Sequence, residues 1–137
     1  EIGACMGRTA YYAHLMGMEY TIVDLPMTNV AQACFLTSAL GHDLVQLNEE
    51  DEPQPIRIRP PSAPLEQYDI ALNVDSLPEM KQDTAKQYMH VVRKCCGQFL
   101  SVNTEHRYFT VRELMGPALS RQPYWLRKGY VEELYQC

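Results

Sequence analysis

The chain opens on Glu1-Ile2-Gly3-Ala4-Cys5-Met6-Gly7-Arg8, and the next apolar run closes on Tyr20-Thr21-Ile22-Val23-Asp24. An acid two residues before a glycine-bearing turn, a helical pattern after it and a second acid 21 positions beyond Gly3 (24 minus 3) constrain this chain more than any other feature. Glycine lets a backbone turn sharply and approach a ligand, and a helix N-terminus offers unpaired N–H groups. An acid after the second strand can accept hydrogen bonds from ribose hydroxyls. The pattern therefore predicts strand, turn and helix around a nucleotide-bearing cofactor. Such a turn follows a strand, of which Glu1 and Ile2 are the end. In a doubly wound sheet that strand is central, so the chain is expected to be the C-terminal part of a longer protein, its N-terminal strand truncated.

Spacing narrows the cofactor. A dinucleotide loop reads G-x-G-x-x-G, whereas Gly3 and Gly7 stand four apart with Cys5 between them. An NAD-dependent oxidoreductase is disfavoured on that ground, because the spacing does not suit a pyrophosphate.

Length and balance bound the rest. A chain of 137 residues, 46% hydrophobic, reads as a single soluble domain over 1–137. A net charge of −5, with no basic cluster larger than Arg57 and Arg59, argues against nucleic-acid binding. No apolar run approaches the roughly 20 residues of a membrane span, and no signal peptide opens the chain. Five cysteines, Cys5, Cys34, Cys95, Cys96 and Cys137, lack metal-ligand spacing and suit a reduced, cytoplasmic setting.

Along the chain, Thr9 to Met18 has helical spacing closed by Gly17, and Tyr20 to Asp24 reads as a buried strand. Asn29 to Leu40 is a second helix, capped by Asn29 or Thr28 and ended by Gly41. Residues 49 to 55 form an acidic, proline-broken surface loop. Ile56 to Arg59 reads as a short strand and Tyr68 to Val74 as a buried parallel one. Met80 to Cys96 is a helix ended by Gly97, followed by a buried strand from Gln98 to Val102. Thr110 to Leu119 is helical, with Thr110 and Glu113 in capping-box spacing. Tyr124 to Tyr135 reads as two strands about a Lys128-Gly129 turn. Strand and helix alternate about four times, which predicts an α/β fold: a Rossmann-like, doubly wound and mostly parallel sheet with an antiparallel C-terminal hairpin.

Ligands of such sheets bind beyond the carboxyl ends of the strands. Two of those ends are dense in polar residues, Asn73-Val74-Asp75-Ser76-Leu77-Pro78-Glu79 and Asn103-Thr104-Glu105-His106. His106 is a candidate general base, because histidine as a residue type exchanges protons near neutrality, and Asp75 and Glu79 are its rivals. Asp75 or Ser76 reads equally well as a cap on the helix that follows. Arg8 is a candidate partner for an anionic group, and Tyr11 or Tyr12 for a stacked ring. Asp75, Glu79 and Glu105 could converge on a cation, but no paired-acid motif signals it, and no metal is expected.

Glu1-x-Gly3-x-Cys5-x-Gly7 resembles the first motif of class I S-adenosylmethionine-dependent methyltransferases. The wider set E-I-G-x-x-x-G-R-T-A-Y-Y, Y-T-I-V-D-L-P, L-N-V-D-S-L-P-E-M, L-S-V-N-x-E, F-T-V-R-E-L and Y-W-L-R-x-G-Y-V-E-E is similar to bacterial sugar O-methyltransferases and covers almost the whole chain. The resemblance implies S-adenosylmethionine as cofactor, held by Glu1, Gly3, Cys5, Gly7, Asp24, Leu25 and Asn73, with Asp24 on the ribose. It implies methyl transfer to a hydroxyl of a sugar or glycan. Cys5 stands where the motif has glycine, which keeps open a catalytically inert, methyltransferase-like binding module.

Overall fold

A computed structural model describes residues 1–47, 52–64 and 66–137. In chain order the elements are α1 (Arg8–Leu15), β1 (Tyr20–Val23), α2 (Pro26–Leu40), β2 (Val45–Gln46), β3 (Ile56–Arg59), β4 (Tyr68–Val74), α3 (Gln82–Cys95), β5 (Cys96–Thr104), α4 (Val111–Met115), β6 (Ser120–Pro123) and β7 (Tyr130–Gln136). Single 3-10 turns occupy His42–Leu44 and Leu77–Glu79. The chain divides into two compact units, Glu1 with Gly3–Pro64, and Ile2 with Leu65–Cys137.

In the first unit, β1, β3 and β2 lie side by side in that order, all parallel, with Tyr20 opposite Ile56 and Val23 opposite Arg59. Glu1 and Gly3 extend the pairing, since the Glu1 carbonyl accepts from Val23 N and Gly3 N donates to Val23 O, both at 2.9 Å. Ile22, Leu36, Ile56 and Ile58 are fully buried, with Ala4, Ala10 and Ala33 against them. The alanines let α1 and α2 approach the strands closely.

In the second unit the order is β4-β5-β7-β6, with β4 parallel to β5, and β7 antiparallel to both β5 and β6. Ile2 N donates to Leu72 O at 2.9 Å. Helix α3 buries Ala85, Met89 and Val92, spaced four and three residues apart on one face. They pack in a core with Leu77, Phe99 and Tyr135, whose rings stack at 6.0 Å for the last two. The α/β class, the parallel pairing and the antiparallel end all match expectation.

Several boundaries differ, each for a local reason. Helix α1 stops at Leu15 in a Schellman ending, with Gly17 N bonded to His14 O and Met18 N to Ala13 O. Helix α2 starts at Pro26 rather than Asn29, because proline's fixed φ and missing N–H cost nothing in a first turn. Asn29 is thereby a buried helical residue, and neither it nor Thr28 is a cap. Gly97 does not end α3 but lies inside β5, where a Cβ would meet the Asp69 carbonyl at 3.0 Å. Helix α4 does begin at Thr110, which accepts from Glu113 N, but Gly116 at φ 85° ends it four residues early. The hairpin's first arm is Ser120–Pro123, so Tyr124 and Trp125 belong to the connection. Strand β4 leaves Ile70 and Val74 exposed, since an apolar run cannot by itself distinguish one covered face from two. Of the acidic stretch 49–55, residues 49–51 lie outside the described residues.

Candidate functional site

In the first unit the turn from Gly3 to Gly7 runs through the left-handed region at alternate residues, with φ of 71° at Gly3, 52° at Cys5 and 78° at Gly7. A non-glycine residue there costs roughly 1–2 kcal/mol, so Cys5 holds a glycine's conformation with a side chain exposed. Gly7 has a second reason to lack one. A Cβ on it would stand 3.1 Å from Leu36 Cδ1 and 3.4 Å from Ile22 Cδ1. Helix α1 begins directly after it, with no side-chain cap on its first N–H groups.

Asp24 follows β1 with both carboxylate oxygens engaged. Oδ1 accepts from Leu25 N at 2.8 Å, and Oδ2 accepts from Gln32 Nε2 at 2.8 Å. The same Gln32 nitrogen donates to the Cys5 carbonyl at 2.9 Å. Leu25 is exposed. Glu1 accepts from the Tyr20 hydroxyl at 3.0 Å. Burial pushes the Glu1 carboxyl above its ordinary range, and the bond from Tyr20 works against that rise. Tyr20 is pushed up in turn, by burial first and then by the Glu1 charge. Tyr11 packs toward Phe35 in the core, whereas Tyr12 is exposed.

In the second unit the ends of β4 and β5 hold a buried polar network. Asn73 Nδ2 donates to Ile2 O at 2.8 Å and to Ser76 Oγ, while its Oδ1 accepts from Leu77 N at 3.2 Å and Asn103 Nδ2 at 2.9 Å. Asn103 Nδ2 also donates to Ser101 Oγ at 2.8 Å. The Asn73 side chain is fully buried, with all its polar groups used inside this unit. Ser76 takes the N-cap position of the following turn, yet its hydroxyl donates to Ile2 O, and the capping bond to Leu77 comes from Asn73.

Each acid at these ends has an arginine. Asp75, itself at φ 55°, holds Arg127 Nη1 at 2.5 Å and the Tyr130 hydroxyl at 2.5 Å, with the Arg127 guanidinium stacked 4.2 Å from the Tyr130 ring. Burial raises the Tyr130 phenol, and the bond to Asp75 adds to the rise. Glu79 pairs with Arg107 at 3.0 Å, and Glu105 with Arg121. Among the described residues, no group of three or more His, Cys, Asp or Glu is placed to hold a metal ion. His106 is exposed, and its ring rests on Gly129: a Cβ there would stand 3.1 Å from Cδ2 and 3.2 Å from Nε2. Pro78, Glu79, Met80, Arg107 and the fully exposed Tyr108 line an open groove of about 620 Å³.

Gln32, Arg127 and Tyr130 are not singled out by sequence reasoning, and Gly129 is singled out only as a turn residue. For Gln32 a signal existed. Asn29, Gln32, Ala33 and Leu36 form the buried stripe of α2, and two amides on a core-facing stripe mark polar work inside a core.

No family profile matches the chain, and no curated protein matches it. Solved structures do. The PH0226 protein from Pyrococcus horikoshii OT3 is 10% identical, with a TM-score of 0.75 over 98% of this chain and 79% of that one. The mitomycin 7-O-methyltransferase MmcR is 12% identical, with a TM-score of 0.73 over 99% of this chain and 48% of its own. PigF with SAH is 12% identical, with a TM-score of 0.67 over 99% of this chain and 49% of its own. At such identities the likeness establishes the fold, the Rossmann-like α/β arrangement expected from the alternation of elements. The chain spans about half the length of the last two.

Proposed function

We propose that this chain binds S-adenosylmethionine and takes part in methyl transfer to a hydroxyl of a small acceptor, a sugar or glycan in the first instance. The observation that carries the reading is the loop from Gly3 to Gly7, left-handed at Gly3, Cys5 and Gly7, together with Asp24 at the end of β1. The alternate left-handed residues open the backbone to close approach, and Asp24 offers carboxylate oxygens suited to ribose hydroxyls. A fold shared with an O-methyltransferase and with a protein solved with SAH supports the same reading. Gly3, Cys5 and Gly7 would hold the cofactor through the turn, with Leu25 beside its adenosine and Glu1 at the strand end that precedes it. When bound, the cofactor supplies an electrophilic methyl group on a sulfonium.

The chain's own contribution is placement and proton transfer. An attacking oxygen must lie in line with the sulfur–methyl bond, so orientation supplies much of the rate. A sugar hydroxyl is weakly acidic, and His106, exposed and braced on Gly129, is the proposed general base. Asp75 is less suited, because Arg127 and Tyr130 occupy its carboxylate. Glu79 is a second candidate through the groove it shares with Arg107 and Tyr108, where hydroxyls and a ring could dock. Among the described residues, no helix is long and apolar enough to cross a membrane.

A second reading is favoured by the arginines on Asp75, Glu79 and Glu105: a methyltransferase-like module that binds the cofactor without chemistry. Calorimetry with S-adenosylhomocysteine and NAD, followed by methyl transfer to a panel of glycans, separates the readings. Binding with turnover supports the enzyme. Binding without turnover on any acceptor supports the inert module, and binding of NAD alone sinks both.

A further inference from the structure

The residue that ties the two halves of the cofactor loop together is neither a glycine nor an acid. Gln32 lies on α2, wholly buried, and its single amide nitrogen reaches the Cys5 carbonyl at 2.9 Å and Asp24 Oδ2 at 2.8 Å. An amide nitrogen carries two hydrogens, and both are committed. Its Oε1 is buried with no protein partner. A buried amide that leaves its own oxygen unmet to direct both hydrogens at these acceptors is held there against the ordinary rule of polar satisfaction. The two acceptors are the middle of the left-handed turn and the acid after β1, 19 residues apart in sequence (24 minus 5).

We propose that Gln32 is a positioning residue that sets the glycine turn and Asp24 at a fixed separation, so that both are pre-formed for a nucleoside-bearing ligand; this rests on the reading of that turn as a cofactor site. The physical effect is pre-organisation. Without Gln32 the Cys5 peptide is free to leave its left-handed conformation, and Asp24 is free to rotate, and both freedoms must be lost on binding. Glutamine is required because it alone among side chains of this length donates twice without adding charge. Glutamate in its place would set a carboxylate against both the Cys5 carbonyl and the Asp24 carboxylate.

Two variants test this. In Gln32→Leu, which keeps side-chain bulk and removes the donors, affinity for S-adenosylhomocysteine measured by calorimetry falls about tenfold or more. In Gln32→Glu it falls further at neutral pH, then recovers as the pH drops and one proton is shared between the paired carboxylates, while Gln32→Leu shows no such recovery. A role confined to filling the core would leave Gln32→Leu, which fills nearly the same volume, at the original affinity. Iodoacetamide modification of Cys5 in the ligand-free protein, followed by mass spectrometry, reads the turn without any cofactor: it is several-fold faster in Gln32→Leu. If the unaltered protein fails to bind S-adenosylhomocysteine, the cofactor reading falls, and the Cys5 rate alone decides the staple. Unchanged affinity in both variants, or an unchanged Cys5 rate, overturns the inference.

Discussion

Gln32 and Asp24, eight residues apart, meet through a 2.8 Å hydrogen bond from the buried amide to the carboxylate that ends β1. The other oxygen of Asp24 accepts from Leu25 N, so the acid enters any ligand complex already oriented. Asp24→Ala removes the acceptor for a ribose and strands the Gln32 amide. Loss of hydrogen bonds to a charged group is worth about 1.5–3 kcal/mol. Calorimetry with S-adenosylhomocysteine should show affinity weaker by that amount; an unchanged value refutes the ribose assignment.

Gly7 and Leu36 are a steric pair. Gly7→Ala adds a Cβ 3.1 Å from Leu36 Cδ1 at a φ of 78°, combining overpacking with a left-handed penalty. Together these should cost about 2–4 kcal/mol and lower the thermal midpoint. Adding Leu36→Val relieves only the steric part, so a double variant that regains nothing would show that backbone conformation dominates.

Cys5 offers a test with the opposite sign. Glycine at φ 52° removes roughly 1–2 kcal/mol of left-handed strain but loses about 0.5–1 kcal/mol to greater freedom when unfolded. Cys5→Gly should therefore match or slightly exceed the original stability in denaturant melts. Cys5→Val, β-branched, should be clearly less stable than either.

Glu1 makes stability depend on pH. Burial raises its folded-state pKa, so folding favours the protonated form. Its stabilising contribution is complete below the unfolded carboxylate range and is lost as pH rises through the raised folded value. Glu1→Gln mimics the protonated state. Its thermal midpoint should exceed the original at neutral pH, and the gap should close on acidification; a gap constant with pH would mean that Glu1 does not titrate on folding.

His106 carries the proposed proton transfer. His106→Ala should lower kcat by about 10²–10⁴-fold on an accepted acceptor without altering S-adenosylhomocysteine affinity. Gly129→Ala, which places a Cβ 3.1 Å from the ring, should lower kcat by a smaller factor through displacement of His106. Turnover that survives both substitutions would return the role to Glu79.

Features set by neighbours in sequence were legible before the fold was known. The left-handed turn could be read from Gly3 and Gly7, the Thr110 cap from its spacing to Glu113, and the parallel order from the alternation of apolar runs and helical stripes. Each depends on backbone sterics or hydrogen bonds within a few residues, so composition and spacing carry the information. Boundaries such as the start of α2 at Pro26, or Gly97 inside β5 against the Asp69 carbonyl, were less legible, because local propensity there admits more than one answer and packing selects among them. The pairing of Asp75 with Arg127, 52 residues away, and of Gln32 with both Cys5 and Asp24, belonged to the tertiary structure alone. A hydrogen bond between distant residues leaves no periodicity along the chain. It exists only once sheet register and helix packing bring a donor within 3 Å of its acceptor, and burial then decides whether that bond is strong enough to matter.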